Sequence, residues 1–553
     1  MTPRVLFTCT AAALLAACAG ATPEATTPPA AGSVPAHQQA NPWFQGGVEA
    51  VAARGAAPGG AKNVVLFVGD GMGVSTVTAA RILAGQQAGG SGEEHLLSFE
   101  RFPFTGLAKT YNVNAQTADS AGTMSAMMTG VKTDMGVFGI DEDVVRGDCD
   151  SARGNHVVTA LELAELAGKA TGVVSTARLT HATPGATYAH TPDRDWEDDS
   201  ELPAEAAAAG CRDIASQFVT FRERLAARYP GAAVDGIEVA LGGGRRHFLP
   251  AEGSASAQGS PHGSGRRTDG DLVARWLANT PGGHYVADRD SLLGAPEDGP
   301  LLGLFTDSHM SYEADRPATE PSLTDMTLAA LDRLAGDPAG FFLMVEAGRI
   351  DHAHHAGNAA NALGDTIELS RAVAATLERV DPAETLVIVT ADHSHTMTMG
   401  GYPRRGNPIL GKVVFPGQDA PALAVDGLPY TTLGYRNGRG FRDFGDETDA
   451  DTTYATPPHP GRVDLTDVDT EAPGFHQAAL VPTDSETHGG EDVAVYAIGP
   501  GAAAVSGVQE QSNIFHVMNA AAGLAAAADA TLRGGPGAGT EASGQASYRG
   551  RAR

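Results

Sequence analysis

The sequence predicts an α/β fold, a mainly parallel central sheet flanked by helices on both faces, with one insertion that stands outside this rhythm. Apolar runs without polar alternation recur at 64–68 (VVLFV), 171–176 (TGVVST), 341–346 (FFLMVE), 385–390 (TLVIVT) and 493–498 (VAVYAI). Strands buried on both faces read this way. Helical patterns fall between several of them, at 157–168 (VVTALELAELAG) and 323–335 (LTDMTLAALDRLA), as crossover connections between parallel strands require. A third observation concerns function: acids and histidines stand where the strands end, the edge at which open α/β sheets hold their ligands.

The chain has 553 residues, enough for one large α/β domain with insertions or for two to three ordinary ones. It begins MTPRVLFTCTAAALLAAC, with one basic residue, Arg4, then an apolar segment too short to span a bilayer, then Leu15-Ala16-Ala17-Cys18. That tetrapeptide resembles a bacterial lipoprotein box, which makes 1–17 a signal peptide and Cys18 the lipidated first residue of the mature chain. A plain secretory signal is the alternative. Both mean export, to the periplasm or the cell surface.

Residues 18–42, rich in Ala, Pro and Thr, are expected as a flexible linker, 43–522 as the main domain, and the small, polar 523–553 as a disordered tail. Residues 400–475, rich in Gly, Pro, Asp and Thr, read as an insertion on the sheet, and 254–270 (SASAQGSPHGSGRRTDG) as a second, flexible one. Export permits disulfides. Cys9 leaves with the signal and Cys18 takes the lipid, so Cys149 and Cys211 remain, as a bridge or as two free thiols.

A formal net charge of −28 argues against nucleic acid and against an anionic membrane surface as partners. An anionic substrate would need local positive charge, and a bound metal cluster is one compact source.

The run VVLFVGDGMG at 64–73 ends a strand on Asp70 among three glycines. It lacks the third small residue of a dinucleotide fingerprint and the basic residue of a P-loop. What is left is an acid on a permissive turn at a strand end. The run FFLMVE delivers Glu346, and D-H-A-H-H sets Asp351 and His355 four apart, on one face of a helical turn. TLVIVT delivers Asp392 and His393, and His488 stands just ahead of VAVYAI. Carboxylates mixed with imidazoles suit zinc, and sites made only of oxygen suit magnesium. In TADSAGTMSAMMTG at 117–130, Asp119 and Ser120 open a helical pattern. Ser120 is then either an ordinary helix cap or an activated nucleophile beside cations.

Six segments, VGDGMG, TADSAGTMSAMMTG, HATPGATYAHTPDRDW, FFLMVEAGRIDHAHH, TADHSHTMTMGG and ETHGGEDVAVYA, resemble in sequence and in order those of alkaline phosphatases, over about 42 to 522. The likeness is to the animal-type branch more than to the shorter bacterial type. It implies hydrolysis of phosphate monoesters through a phosphoserine on Ser120, with Asp119 and Arg194 at the substrate and Arg194 gripping two phosphate oxygens. It implies one zinc on Asp351, His355 and His488 and a second on Asp70, Asp392, His393 and Ser120. A magnesium would be held by Asp70, Thr183 and Glu346, with His181 behind the ligands. It implies, further, a Cys149–Cys211 disulfide, a crown-like role for 400–475, and a homodimer. Animal-type relatives carry a calcium-like site with an acid after a G-L-F run. Here Thr306 follows Gly303-Leu304-Phe305, so that site does not carry over intact, although Glu320 offers a carboxylate.

Two other readings compete. One is a phosphodiesterase or sulfatase on the same fold, but Ser120 lies in D-S-A-G-T, without the C/S-x-P-x-R context of sulfatases, and diesterases of the fold usually use Thr. The other is an exported metal- or phosphate-binding lipoprotein without turnover, which would have no need of a serine beside the cluster.

Overall fold

The computed structural model describes residues 32–55, 59–253, 260–440 and 462–534. Strands β1 (Asn63–Gly69), β2 (Phe104–Lys109), β3 (Ala170–Arg178), β4 (Val239–Gly243), β5 (His284–Val286), β6 (Leu301–Leu304), β7 (Phe341–Ala347) and β8 (Thr385–Ala391) join Val493–Ile498 and Gly507–Glu510 in one ten-stranded sheet. Its order is Gly507–Glu510, β2, Val493–Ile498, β8, β1, β7, β3, β4, β6, β5. The pairs around β1 are parallel, whereas Val493–Ile498 runs antiparallel to both β8 and β2. Each apolar run expected as a strand is one, and the central β7 and β8 are buried at every position. Strands β2, β4, β5 and β6 were not expected. They are short and contain glycine or polar residues, so they carry no period to read. Gly106 in β2 is needed there, because a Cβ would stand 1.9 Å from the Val505 carbonyl oxygen.

The register of the centre positions the site. Gly69 pairs with Ala347 of β7 and with Ala391 of β8, so three strands end level. Parallel neighbours lie about 4.8 Å apart. The residues that follow, Asp70 and Asp392, therefore emerge side by side, with Glu346 one residue earlier on β7. The helices Leu323–Leu334 and Ala359–Leu377 cover the sheet, as the crossovers of a parallel sheet must. Strands Met397–Met399, Leu433–Gly438 and Ala479–Pro482 form a separate three-stranded sheet. The described parts of 400–475 add no strand to the large sheet, and 441–461 lie outside the described residues.

Three expectations are corrected. The stretch 18–42 is not linker throughout: Ala36–Ala40 is helical, a second helix starts at Pro42, and Ser33 and Gln38 are buried. The tail begins later than 523, since Leu524–Gly534 is a helix with Leu524 and Ala528 buried. In the insertion 254–270, Arg267 is fully buried and paired with Asp213 at 2.9 Å, so that part is anchored. Residues 1–31, with the signal and Cys18, and 535–553 lie outside the described residues. Cys149 and Cys211 form a disulfide, with Cα atoms 6.0 Å apart. No helix among the described residues is long and apolar enough to cross a membrane.

Gln38 shows what holds the N-terminal segment. Its amide N–H groups donate to the carbonyls of Thr129 (2.8 Å) and Val158 (3.1 Å), and its Oε1 accepts from the Val158 N–H at 2.7 Å. Replacing it with Leu strands three buried backbone groups, at about 1–3 kcal/mol for each unsatisfied group. Gln38→Leu is expected to lower the thermal midpoint by several degrees, and an unchanged midpoint would mean that the segment does not pack here.

Candidate active site

Ser120 is the first residue of the helix Ser120–Thr129, whose cap is Asp119: Asp119 Oδ1 accepts from the Gly122 N–H at 3.1 Å. The capping role is therefore taken, and Ser120 is free of it. Its Oγ, buried, lies 3.1 Å from His393 Nε2 and 3.5 Å from Asp70 Oδ1. Asp119 Oδ2 accepts from the Gly136 N–H at 3.0 Å and from Arg194 Nη1 at 3.1 Å. Burial would raise the Asp119 pKa, but Arg194 and these N–H groups bring it below the ordinary carboxylate value. Asp119, the residue before Ser120, thus holds one end of the Arg194 fork. Arg194 Nη2 lies 3.0 Å from His181 Nε2. Burial and the neighbouring arginines push the His181 pKa down to about 3, so it is a neutral ring that can accept this bond.

Three donor sets converge beside Ser120. In the first, the helix Arg349–Ala356 presents Asp351 and His355, one turn apart, opposite His488. Asp351 Oδ1 is 3.4 Å from His355 Nε2 and 3.3 Å from His488 Nε2, and the two Nε2 atoms are 3.0 Å apart. His355 Nδ1–H donates to the Glu486 carbonyl (2.6 Å) and His488 Nδ1–H to the Ala118 carbonyl (2.7 Å). With both Nδ1 atoms protonated, both Nε2 lone pairs point at one spot. Unshielded lone pairs so close repel, whereas two imidazoles on one tetrahedral zinc stand about 3.3 Å apart.

The second set is Asp70, Asp392 and His393, all fully buried. His393 Nε2 is 3.3 Å from Asp70 Oδ1 and 3.3 Å from Asp392 Oδ2. The other Asp392 oxygen accepts from the N–H of Gly71 (3.0 Å) and of His393 (2.9 Å). Gly71 has φ +69°, and a Cβ there would strike the His395 ring at 2.4 Å. The turn after β1 is glycine-rich so that its backbone can reach Asp392.

The third set is oxygen-rich. Asp70 Oδ2, Thr183 Oγ1 and Glu346 Oε1 are buried with no hydrogen-bond partner among the described residues, while Ser175 Oγ–H donates to the other Glu346 oxygen. Such orphans are rare and costly. A hard cation would satisfy all three. His181 lies close to Asp70 and Glu346. Burial, then Asp392, Asp351 and Glu346, drive the Asp70 pKa well up, and burial pushes Glu346 to about 8. Without positive charge between them these acids resist ionising together. Glu320 has no such freedom: its oxygens accept from the Ser311 N–H (2.7 Å) and hydroxyl (3.1 Å).

Sequence reasoning missed His395 and Glu486. His395 Nε2–H donates to Asp351 Oδ1 at 2.7 Å and Nδ1–H to Glu486 Oε2 at 2.6 Å. Burial opposes a charged ring, but Glu486 and Asp351 override it and raise the His395 pKa to about 10. This imidazolium fixes the rotamer of Asp351. The signal was present in D-H-S-H, where a second histidine follows two residues after His393. Glu486→Gln weakens that hold. It is expected to lower divalent-metal affinity at the Asp351, His355 and His488 set by about 10- to 100-fold, with the Asp70, Asp392 and His393 set unchanged. Titrating the loaded protein with a chromophoric chelator reads both, and equal loss from the two sets would contradict the assignment.

Residues 61–524 match the family model described as alkaline phosphatase. The chain is 45% identical over 472 residues to the tissue-nonspecific alkaline phosphatase of Gallus gallus and 42% identical over 475 residues to that of Homo sapiens, covering 84% of each chain in both cases. It is 42% identical to an alkaline phosphatase of Gadus morhua, over 84% of this chain and 92% of that one. Among solved structures, the Thermus thermophilus alkaline phosphatase shares 26% identity at a TM-score of 0.56, over 87% of this chain and 98% of that chain. The enzyme from the Antarctic bacterium TAB5 shares the fold at a TM-score of 0.52 and 21% identity, over 84% and 97%. With the model match spanning most of its length and animal relatives above 40% identity, the chain belongs to the alkaline phosphatase family.

Proposed function

We propose that the chain hydrolyses phosphate monoesters to an alcohol and inorganic phosphate, with Ser120 as the nucleophile. The observation that carries this is the place of Ser120. It is a buried hydroxyl at a helix start already capped by Asp119, within 3.5 Å of Asp70 and His393, and the other oxygen of that Asp119 holds Arg194.

Arg194 grips the substrate phosphate bidentately while Asp119 Oδ2 steadies the guanidinium by accepting from Nη1, and the N-terminal end of the helix adds a favourable dipole. In the first displacement the Ser120 Oγ–P bond forms as the ester P–O bond breaks. The hydroxyl proton passes to the acceptors around Oγ, and the departing alkoxide takes one from water. In the second, a water oxygen attacks phosphorus, the P–Oγ bond breaks, Ser120 regains a proton and phosphate leaves. Asp351, His355 and His488 would hold one zinc, Asp70, Asp392, His393 and Ser120 a second, and Asp70, Thr183 and Glu346 a magnesium. Held there, these cations would neutralise charge on the attacking and leaving oxygens.

The test is a side-by-side assay of an aryl phosphate monoester, the diester and the aryl sulfate, with and without exhaustive chelation. The monoester is expected to be turned over best, chelation to abolish activity, and zinc with magnesium to restore it better than either alone. Ser120→Ala is expected to lose about 100-fold or more in turnover and to keep its metals, since the other ligands remain. Diester turnover equal to that of the monoester, or undiminished turnover by Ser120→Ala, would overturn the reading.

The Leu15 to Cys18 run supports a mature protein beginning at a lipidated Cys18, in the periplasm or at the cell surface. Labelled fatty acid is then expected in the native protein and absent from Cys18→Ala; a native chain beginning at Met1 would contradict it. Exposed apolar side chains on the insertion and its sheet, Tyr402, Leu423, Val425 and Leu480, support a homodimer, which light scattering would read as the mass of two chains.

A further inference from the structure

We infer a second anion site, apart from Ser120, for a phosphate-type dianion: inorganic phosphate or the phosphoryl group of a small organic phosphate. It is a cavity of about 440 Å³ bounded by Pro35 and His37, by Gly154 and His156, and by the helix Phe221–Arg228. The lining carries two guanidinium groups, Arg224 and Arg228, and three imidazoles, His37, His156 and His190, against one carboxylate, Glu162. In a chain of net charge −28 this reverses the sign locally. None of these residues belongs to the three donor sets or contacts Ser120.

Glu162 does not balance the cavity. One of its oxygens accepts from His190 Nε2–H at 2.8 Å and the other from the Thr159 N–H at 3.0 Å, with Arg228 Nη1 3.6 Å away. Arg224 makes no ion pair among the described residues. Its Nη1 donates to Gln217 Oε1 (2.9 Å) and its Nη2 to the Tyr188 carbonyl (2.8 Å), and its buried Nε has no acceptor. Burial brings the Arg224 pKa down to about 10, with Glu162 only partly opposing. A desolvated guanidinium with neutral acceptors alone lacks its counter-charge.

Arg228, a quarter exposed, stands where an entering ligand meets solvent; its Nη2 donates to the His156 carbonyl at 3.0 Å. The His156 ring stacks on His190 at 5.1 Å and makes no side-chain hydrogen bond among the described residues. Burial, His190 and the two arginines hold its pKa near 3, so the ring stays neutral. Two planar forks with a surplus of positive charge match a dianion better than a lone carboxylate. The cavity has room for an organic group behind the phosphoryl.

The neutral ring of His156 supplies the readout. Full-length, metal-loaded protein is treated with diethyl pyrocarbonate at neutral pH, and modification of the His156 peptide is followed by mass spectrometry. The probes are inorganic phosphate, phenylphosphonate, which cannot be hydrolysed, and acetate. With a dissociation constant of about 1 mM, about 10 mM ligand slows the modification roughly tenfold. Slowing by phosphate alone identifies the free ion, slowing by phenylphosphonate alone identifies an organic phosphate, and either supports the site. Arg228→Gln is expected to abolish the protection and to leave aryl phosphate turnover unchanged. No slowing by either dianion, equal slowing by acetate, or full protection in Arg228→Gln would overturn it. The wild-type comparison stands alone if the variant fails to fold.

Discussion

Like charge packed out of water is the constraint on which the site depends. Asp70, Asp351 and Asp392 are essentially buried, within one neighbourhood and next to fully buried Glu346. In water such groups ionise freely; here burial and mutual repulsion push Asp70, Asp392 and Glu346 toward the protonated form. His395, held between Asp351 and Glu486, brings a proton of its own to offset them, and the Arg194 guanidinium adds a second positive charge near Asp70. Bound cations would let these acids ionise together, and the orphaned oxygens of Asp70, Thr183 and Glu346 mark one place for such an ion.

The sheet makes this arrangement by register. Because β1, β7 and β8 end level, residues from three distant parts of the chain emerge at one edge with little freedom. Two helices then add groups of their own: Ser120 on the one after β2, Asp351 and His355 on the one after β7. The stacked rings of His393 and His488, 3.5 Å between centroids, show how closely two of the donor sets approach. Fixed geometry of this kind suits phosphoryl transfer, in which positioning and charge neutralisation supply most of the rate.

The legible parts of the sequence were those whose signal is local. Continuous apolar runs such as 341–346, set between helical patterns, read as strands buried on both faces, and the acids and histidines beside several of them are visible residue by residue. Long-range partners were not legible. The hold of His395 on Asp351 depends on Glu486, 91 residues further along, and no period or spacing links them. Gln38 reads as one more polar residue in a linker until Thr129 and Val158 bond it. The helix Leu524–Gly534 was overlooked for another reason. Its Ala-rich composition resembles a low-complexity tail, although Ala is the strongest helix former and the apolar positions Leu524 and Ala528 face the core.

Anomalous diffraction from crystals of the metal-loaded protein, recorded on both sides of the zinc edge, tests most directly whether cations complete the buried acids. Two zinc peaks are expected, one among Asp351, His355 and His488 and one among Asp70, Asp392 and His393, with a light ion and no zinc signal at Asp70, Thr183 and Glu346. Fully loaded protein with zinc bound elsewhere, and these side chains hydrogen-bonded only to one another, would contradict it.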